Sequence, residues 1–390
     1  MKRRQSHAVH IGSHLIIGGG NPIAIQSMTT CSTMDTEGCV EQAIRIIEAG
    51  GELVRLTTQG VREAENLRNI RSELNRRGYS HIPLCADVHF NPNVADVAAT
   101  IVEKVRINPG NYVDPARTFK HLEYTDAEYA AELQRLDERF CRFLAICREH
   151  HTAIRIGVNH GSLSDRIMSR YGDTPAGIVE SCMEFLRIAE REKFSDVVVS
   201  IKASNTVVMV ESVRLLCKAM ESEGMDYPLH LGVTEAGEGE DGRLKSAIGI
   251  GALLIDGIGD TIRVSLSEEP ECEIPVAASI LQAARARVTK TEFISCPGCG
   301  RTLYDLQDTI RRIKAAIAER AATDPRYRTL KIGIMGCIVN GPGEMADADF
   351  GYVGAARGKV SLYKGKTCVE KNIPEEDAVE HLIALIESNI

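Results

Sequence analysis

The segment LVRLTTQGVREAENLRNIRSELNRRGYSHIPLCAD, residues 53–87, is typical of an α/β fold. It begins with a β-branched and apolar run over Leu53–Thr57, continues with a helical pattern over Val61–Arg76, and ends with a second apolar run over Ile82–Asp87. Pro83 stands near the start of the second run, where a missing amide proton is tolerated. A strand, a helix and a second strand in this order predict parallel strands in one sheet.

The same alternation extends on both sides of this stretch, up to about Val288. The other predicted strands are Ile23–Met28, Val105–Asn108, Ala153–Val158, Asp196–Ile201, Leu229–Val233 and Thr261–Ser265. Helical patterns cover Thr36–Ala49, Asp126–His150, Pro175–Arg191, Val207–Ser222 and Ile274–Arg287. Eight strand–helix units in about 290 residues match a (β/α)₈ barrel, whose usual size is about 250 residues. We therefore expect an α/β fold with an N-terminal TIM-type barrel, and a doubly wound open sheet is the alternative.

The composition changes beyond Thr289 and predicts a second, smaller domain. Its predicted strands and helices are Phe293–Ser295, Leu303–Ala322, Lys331–Met335, a strand around Tyr352, Val360–Tyr363, Thr367–Glu370 and Glu375–Ser388. We expect residues 1–288 to form the barrel and residues 289–390 to form a small α+β domain. The polar and aromatic segment Asn111–Asp126 is expected to be a loop.

We expect a globular protein of the cytoplasm. The 390 residues are 44% hydrophobic and 26% charged, which is ordinary for such proteins. No apolar run approaches the roughly 20 residues that cross a bilayer. The basic N-terminus leads into a short apolar part that is broken by His10, Gly12 and His14, unlike a secretory signal. We expect no association with a membrane.

The net charge and the cysteines exclude further classes. A net charge of −8 argues against nonspecific nucleic-acid binding, which needs a basic surface, but it leaves room for a cationic cleft. Twelve cysteines in a chain of this length fall below disulfide-scaffold density, so we expect thiols. Five of them lie in apolar helical patterns and are expected to be small buried hydrophobes: Cys39, Cys141, Cys147, Cys182 and Cys217.

Charged residues stand at or just after the C-terminal end of most predicted strands, the face on which barrel enzymes build their sites. Five of them form what we call the cationic ring: Arg55, Arg106, Arg155, Lys202 and Arg263. Burying that much positive charge without anions is costly. A phosphorylated substrate would neutralise it, and the fork of arginine suits phosphate oxygens.

Polar residues accompany the ring and complete the expected substrate site. They are Asp87, Asn108, Asn159, Asn205, His230, Thr234 and Ser265, with Glu235 on the same face. Alternatively, Asp87 and Glu235 are partners in a structural ion network. The three asparagines are alternatively turn residues.

An incomplete set of metal ligands lies near the C-terminus. Cys296-Pro297-Gly298-Cys299 supplies two thiols, Cys337 supplies a third, and Glu344 follows Asn340-Gly341-Pro342-Gly343. A structural zinc site normally has four strong ligands. A cluster that only carries electrons usually has four thiolates. Three thiolates and one replaceable carboxylate suit a metal centre that is held firmly and also does chemistry.

Spacing alone leaves zinc and iron–sulfur both open. Zinc would take its fourth ligand from Cys368, in a strand-like run, or from His381, in the last helix. A cysteine followed by proline is instead typical of iron–sulfur loops. Radical S-adenosylmethionine chemistry is disfavoured, because the chain contains no C-x-x-x-C-x-x-C run.

Four segments together resemble the hydroxymethylbutenyl diphosphate synthases, and the resemblance runs through nearly the whole chain. The segments are Ile154–Leu163, His230–Gly237, Cys296–Thr302 and Gly336–Glu344. The resemblance implies a (β/α)₈ barrel followed by a domain with one 4Fe-4S cluster per chain. The short run from Arg287 to Cys296 implies the two-domain bacterial type, without the extra domain of plastid-like members.

The resemblance also implies an enzyme of isoprenoid precursor biosynthesis. It would open the ring of 2-C-methyl-D-erythritol 2,4-cyclodiphosphate with two electrons, giving 4-hydroxy-3-methylbut-2-enyl diphosphate and water. Cys296, Cys299 and Cys337 match the family's cluster thiolates, Glu344 matches its fourth ligand, and Glu235 is the candidate proton donor. Ferredoxin or flavodoxin would supply the electrons. Two chains would form a head-to-tail homodimer in which one subunit's cluster domain caps the other's barrel.

Two other functions remain compatible with the residues. One is a zinc-stabilised barrel lyase or transferase acting on a phosphorylated substrate, with Lys202 as a Schiff-base nucleophile. The other is a non-catalytic electron carrier, although carrying electrons would not require an eight-unit barrel.

Overall fold

The computed structural model describes residues 2–113, 123–339 and 341–390. The chain divides into two compact units, Met1–Arg287 and Val288–Ile390. The central part of the predicted loop Asn111–Asp126, residues 114–122, lies outside the described residues.

Parallel strands form the centre of the first unit. In the described part of this unit they are β3 (Ala24–Met28), β4 (Leu53–Thr58), β5 (Leu84–Val88), β6 (Lys104–Ile107), β7 (Ala153–Asn159), β8 (Val197–Lys202), β9 (His230–Leu231) and β10 (Thr261–Ile262). They lie in the order β8-β7-β6-β5-β4-β3-β10-β9. A parallel bridge between Val199 and Leu229 brings the two ends of this order together. The predicted TIM-type barrel is therefore confirmed, and the open-sheet alternative is wrong.

Helices surround these strands. Within the described ranges they are α1 (Thr36–Glu48), α2 (Val61–Arg76), α3 (Pro92–Ala99), α4 (Asp126–His150), α5 (Asp165–Tyr171), α6 (Pro175–Arg191), α7 (Thr206–Ser222), α8 (Gly239–Ile255) and α9 (Glu273–Ala283). Local caps fix several ends: Thr125 forms a capping box with Glu128 at the start of α4. None of the helices in the described ranges is both long and apolar enough to cross a membrane.

A short N-terminal hairpin, which the sequence pattern did not predict, closes one end of the barrel. Its strands are β1 (Val9–Ile11) and β2 (Leu15–Ile17). Val9, Ile11 and Ile17 are fully buried and cluster with residues at the starts of the barrel strands, such as Leu53 and Ala153. The hairpin therefore covers the amino ends of the strands, on the face opposite the predicted site.

Two barrel strands are much shorter than predicted. The run Leu229–Val233 contributes His230–Leu231 to the ladder, and the run Thr261–Ser265 contributes Thr261–Ile262. A side chain at Gly232 would lie 2.7 Å from the carbonyl oxygen of Arg263 and 2.9 Å from Lys202 Nζ. The backbone beyond β9 and β10 therefore packs closely against side chains of the site.

The second unit has its own sheet and core. Its described strands lie in the order β11 (Glu292–Ser295), β12 (Lys331–Met335), β13 (Phe350–Ala356), β14 (Lys359–Lys364) and β15 (Thr367–Pro374). The first three strands are parallel and the last two are antiparallel to their neighbours. The described helices are α10 (Leu306–Thr323), the short α11 (Gly341–Glu344) and α12 (Glu375–Glu387).

The start of α10 differs from the prediction. The helix begins at Leu306 rather than at Leu303, because Asp305 caps it by accepting a hydrogen bond from the Asp308 N–H at 3.0 Å. Residues 302–304 therefore belong to the loop that follows the two cysteines.

Candidate active site

The cationic ring lies inside the barrel rather than on an open rim. Arg155 is 1% exposed, Arg106 3%, Lys202 5% and Arg55 7%, and Arg263 is half-buried. Neighbouring strands place these residues side by side, since Arg106 pairs in register with Arg155. Such burial makes a missing counter-charge expensive.

Asp87 supplies a carboxylate to two members of the ring. It accepts from Arg106 Nη1 at 2.8 Å, and Arg55 Nε lies 3.4 Å from its other oxygen. Burial alone would raise the pKa of Asp87, but Arg106 and Arg55 outweigh it and hold the pKa well below its usual range. Asp87 therefore stays ionised and keeps both guanidinium groups in place.

Gly157 makes room for two guanidinium groups. Its carbonyl accepts from Arg106 Nη2 at 2.8 Å, while Arg155 Nη1 donates to Ser200 Oγ at 2.7 Å. A Cβ at Gly157 would lie 2.7 Å from Arg106 Nε and 3.0 Å from Arg155 Nη1. Within the described residues, Arg106 Nε and two nitrogens of Arg155, Nε and Nη2, are buried without a hydrogen-bond acceptor.

Glu273, at the start of α9, holds Arg263 through two hydrogen bonds. The distances are 3.0 Å from Nε and 2.9 Å from Nη2, and Ser27 Oγ donates to the same carboxylate at 2.6 Å. Glu273 is 1% exposed. The sulfur of Met28 lies 2.9 Å from Arg55 Nη2 and 3.5 Å from Arg263 Nη1, so β3 touches two ring members.

Two further basic side chains, Lys104 and Lys202, are buried near the arginines of the ring. Burial, together with Arg55 and Arg155, lowers the pKa of Lys202 well below its ordinary range. Burial likewise lowers the pKa of Lys104 to about 8, and its Nζ has no hydrogen-bond partner among the described residues. Even without these lysines, the four arginines of the ring outnumber the two buried carboxylates that hold them, Asp87 and Glu273.

The remaining predicted site residues take several different positions. Asn205 caps α7 by accepting from the Val207 N–H at 2.9 Å, and Asn108 donates to Ser162 Oγ at 2.8 Å. Asn159 ends β7 in register with Lys202. Asn205 is exposed, Asn108 is buried, and Asn159, Thr234 and Ser265 are half-buried.

His230 and Glu235 lie at opposite extremes of exposure. His230 is 0% exposed, and burial together with Lys202 lowers its pKa well below the usual range. Glu235 is exposed and has a φ of 52°, a left-handed conformation that is uncommon for a residue other than glycine. Such conformations concentrate at functional sites.

Sequence reasoning missed several residues of this site. Glu273, Gly157, Ser200 and Lys104 were not among the predicted site residues, although each contacts or charges the ring. A period-two pattern was available for two of them, because Lys104 shares a strand face with Arg106, and Gly157 shares one with Arg155. Glu273 left no comparable signal, since it reaches Arg263 from a helix.

Parallel pairing brings the three predicted thiols together in the second unit. Cys296 directly follows β11 and Cys337 comes shortly after β12, and these two strands are parallel neighbours. Their carboxyl ends therefore meet at one edge of the sheet. A cavity of about 360 Å³ at that edge is lined by Cys296, Cys299, Cys337 and Glu344.

Hydrogen bonds fix the loops around this cavity. The Gly336 N–H donates to Cys296 Sγ at 3.2 Å, as amides do around iron–sulfur thiolates. Thr302 Oγ1 accepts from the Cys299 N–H at 3.0 Å, and the Thr302 N–H donates to the Cys299 carbonyl at 2.9 Å. A Cβ at Gly336 would lie 2.9 Å from Thr302 Oγ1, so Thr302 contacts both loops.

Three thiols and one carboxylate are ligands that suit both an iron–sulfur cluster and zinc. Among the described residues, no three His, Cys, Asp or Glu side chains converge on one point where one metal ion would sit. The same side chains surround a cavity instead. The alternative zinc ligands are engaged elsewhere, because His381 Nδ1 contacts Glu370 at 2.8 Å and Cys368 Sγ contacts the Glu370 carbonyl at 3.5 Å.

Comparison with known proteins assigns both units. The family model described as GcpE TIM-barrel domain matches residues 6–278, and the model described as GcpE protein C-terminal domain matches residues 292–388. Together these matches cover most of the chain.

Curated relatives align with nearly the whole chain. A 4-hydroxy-3-methylbut-2-en-1-yl diphosphate synthase (flavodoxin) of Bacteroides thetaiotaomicron is 46% identical, over 99% of this chain and 98% of the relative. The corresponding synthase (ferredoxin) of Synechococcus sp. is 47% identical, over 99% of this chain and 94% of the relative. The Bacteroides alignment spans 609 positions, so that relative contains a large segment absent from these 390 residues. On these matches, the chain belongs to the 4-hydroxy-3-methylbut-2-en-1-yl diphosphate synthase family.

Proposed function

We propose that this chain is an iron–sulfur oxidoreductase that reduces 2-C-methyl-D-erythritol 2,4-cyclodiphosphate to 4-hydroxy-3-methylbut-2-enyl diphosphate in isoprenoid precursor biosynthesis. Two electrons and the accompanying protons open the cyclic diphosphate of the substrate, and one hydroxyl leaves as water. The observation that carries the proposal is a barrel interior with excess buried positive charge, in a chain that also holds a cavity lined by three thiols. Family membership supports the same reaction.

In this proposal the barrel binds the diphosphate. Arg263, which is half-buried, and Arg55 and Lys202, which are 7% and 5% exposed, are the least deeply buried members of the ring and are proposed to meet the phosphate oxygens directly. Asp87 and Glu273 hold the guanidinium groups before substrate arrives, so little reorganisation is needed on binding. Arg106 and Arg155 lie deeper and contribute mainly through their charge.

Cys296, Cys299 and Cys337 would hold one 4Fe-4S cluster, with Glu344 as the fourth, replaceable ligand. When bound, the cluster supplies electrons and a Lewis-acidic iron. Glu344 is exposed on the short helix α11, so its side chain has room to change position. The Gly336 N–H and Thr302 make the hydrogen bonds that would hold the thiol loops in place around the cluster.

Glu235 is proposed to donate the proton to the departing hydroxyl. Its exposed carboxylate follows β9, on the same face of the barrel as the cationic ring. The left-handed backbone at this residue fixes the direction of the loop, and Lys245 Nζ donates to its carbonyl at 3.3 Å. Thr234, Ser265, Asn159 and Asn205 are proposed to orient the substrate from neighbouring strand ends.

The partners follow from the proposed chemistry. The relatives are described as using flavodoxin or ferredoxin, and a one-electron donor of this kind would deliver two electrons in turn. We further propose a cytoplasmic head-to-tail homodimer, in which the thiol cavity of one subunit serves the barrel of the other. The zinc-enzyme alternative is not favoured, because the relatives are electron-donor-dependent synthases.

The test begins with the metal content of protein purified without oxygen. About four irons and four sulfides per chain are expected, together with turnover of the cyclodiphosphate when a reduced flavodoxin or ferredoxin is supplied. Stoichiometric zinc without sulfide would contradict the cluster. A full cluster without turnover of the cyclodiphosphate would contradict the proposed substrate.

A further inference from the structure

Cys31 and Cys39 lie together in the first unit, at the carboxyl face of the barrel. Their sulfurs are 3.2 Å apart. Cys31 stands in the loop between β3 and α1, and Cys39 lies in the first turns of α1. A disulfide bond is about 2 Å long, so a small side-chain rotation would bring the sulfurs to bonding distance.

The loop that carries Cys31 is tied to the strands of the site. The Thr29 N–H donates to the Arg55 carbonyl at 2.9 Å, and the Thr30 N–H donates to Gln42 Oε1 of α1 at 2.7 Å. Met28, directly before this loop, touches Arg55 and Arg263 through its sulfur. A covalent link between Cys31 and Cys39 would therefore restrain backbone next to the cationic ring.

The two thiols differ in the way that an exchange reaction requires. Cys31 is half-buried and so reachable by a small oxidant, whereas Cys39 is fully buried. Burial and the neighbouring Cys31 raise the pKa of Cys39, so its thiol is the poorer initial nucleophile. Cys39 Sγ donates to the Ser32 carbonyl at 3.3 Å, which holds it beside its partner.

We propose that Cys31 and Cys39 form a reversible intramolecular disulfide when the protein meets a low-molecular-weight disulfide oxidant. The Cys31 thiolate attacks the oxidant, forming a mixed disulfide and releasing one thiol. Cys39 then attacks the Cys31 sulfur and releases the second thiol. The protein loses two electrons and two protons, and one oxidant molecule becomes two thiols.

A single tryptic peptide reports on this bond. Residues 5–45 contain no internal lysine or arginine, and Cys31 and Cys39 are the cysteines of that peptide. The purified full-length protein is equilibrated without oxygen in buffers of reduced and oxidised glutathione. It is then denatured, alkylated and digested. The expected product is an unalkylated peptide lighter by two hydrogens, which regains two labels after treatment with dithiothreitol.

Variants separate a coupled pair from general thiol oxidation. Cys31→Ser should leave Cys39 fully alkylated, and Cys39→Ser should leave a glutathione adduct on Cys31. The peptide of residues 215–218 contains the half-buried Cys217 and should keep its label throughout. Oxidation of Met28 or Met34 adds oxygen and is distinguished by mass.

Two results would overturn the proposal. One is a wild-type 5–45 peptide that keeps both alkyl labels. For this result to count, the same glutathione buffer must place glutathione on Cys31 of the Cys39→Ser variant. The other is a persistent glutathione adduct on Cys31 of the wild type, which would mean that Cys39 does not reach it. Neither readout depends on the cluster or on turnover.

Discussion

Arg263 illustrates how much one contact can decide at the scale of single residues. Its guanidinium is held by Glu273, which lies ten positions later on a helix and is 1% exposed. Removing one partner of a buried ion pair leaves the other charge without compensation, which is far more costly than losing an exposed pair.

We expect Glu273→Gln to lower the free energy of unfolding of the barrel by roughly 3 kcal/mol, because Arg263 loses its counter-charge. Urea denaturation measures this change. The control is Glu271→Gln, whose partner Arg45 is exposed, and it should cost less than about 1 kcal/mol. Equal effects of the two variants would contradict the importance of the buried pair.

Thr302 gives a second residue-scale prediction. Thr302→Val keeps the branched shape but loses the oxygen that accepts from the Cys299 N–H. A hydrogen bond of about 1 kcal/mol corresponds to a roughly five-fold faster loss of iron to a chelator. The reduction potential should shift in the same variant. Thr302→Ser retains the acceptor and should behave as the wild type; if it loses iron as fast as Val, the hydrogen bond is not the cause.

His89 links the site to pH. Burial, followed by Arg106, lowers its pKa to about 4, and Arg106 Nη1 contacts His89 Nε2. The unfolded chain, with a pKa of about 6.5, then binds more protons than the folded one between these values. Stability is therefore fully present above pH 6.5 and falls as the pH falls towards 4. In His89→Asn, the loss of stability between pH 7 and pH 4.5 should be smaller, and an unchanged slope would contradict this assignment.

At the scale of elements, β7 shows how alternation along one strand builds the site. Arg155, Gly157 and Asn159 occupy every second position and therefore share one face. The glycine between the two longer residues is what leaves room for the Arg106 and Arg155 guanidinium groups.

We expect Gly157→Ala to weaken binding of inorganic diphosphate by roughly ten-fold, about 1.4 kcal/mol, because the added methyl group displaces the guanidinium groups. Isothermal titration calorimetry measures the affinity. Gly251→Ala in α8, where nothing lies within 4 Å of the added Cβ, is the matched control. That variant should bind as the wild type and gain about 0.5–1 kcal/mol of stability from helix propensity. Unchanged diphosphate binding by Gly157→Ala would contradict the packing argument.

Three helices were predicted with the bounds that the structure shows, whereas α3, α5 and α8 were not among the predicted helices. The bounds of α2, α4 and α6 agree with the sequence pattern, because caps such as Thr125 and Thr174 act within a few residues. The ladders of β9 and β10 were overestimated, since a strand ends where its neighbour ceases to pair, and the neighbour is distant in sequence.

At the scale of the whole molecule, the two units have separate hydrophobic cores. The thiols belong to the second unit and the cationic ring belongs to the first. Loss of the metal centre should therefore leave the barrel folded.

We expect Cys299→Ser to lose iron and sulfide but to bind inorganic diphosphate with unchanged affinity. Cys299 is exposed, so the substitution does not disturb a core. Metal analysis and calorimetry on the same preparation provide the test. Loss of diphosphate binding together with the iron would show that the ring depends on the cluster domain.

Sequence patterns were enough to predict the barrel, the change of composition near residue 289, and the residues that carry charge and thiols. These features are local: periodicity, caps, and a cysteine pair around a turn are written in consecutive residues. The five ring cations were singled out because each lies on, or directly after, a predicted barrel strand.

Which of those residues contact one another could be seen only in the folded protein. The N-terminal hairpin, the Glu273–Arg263 pair and the contact between Cys31 and Cys39 each depend on which elements become neighbours. The sequence likewise did not show how deeply Arg155 and His230 are buried inside the barrel, because closure of the sheet sets which face of a strand points inward. Register and closure arise from pairing between distant segments, and no window of consecutive residues contains that information.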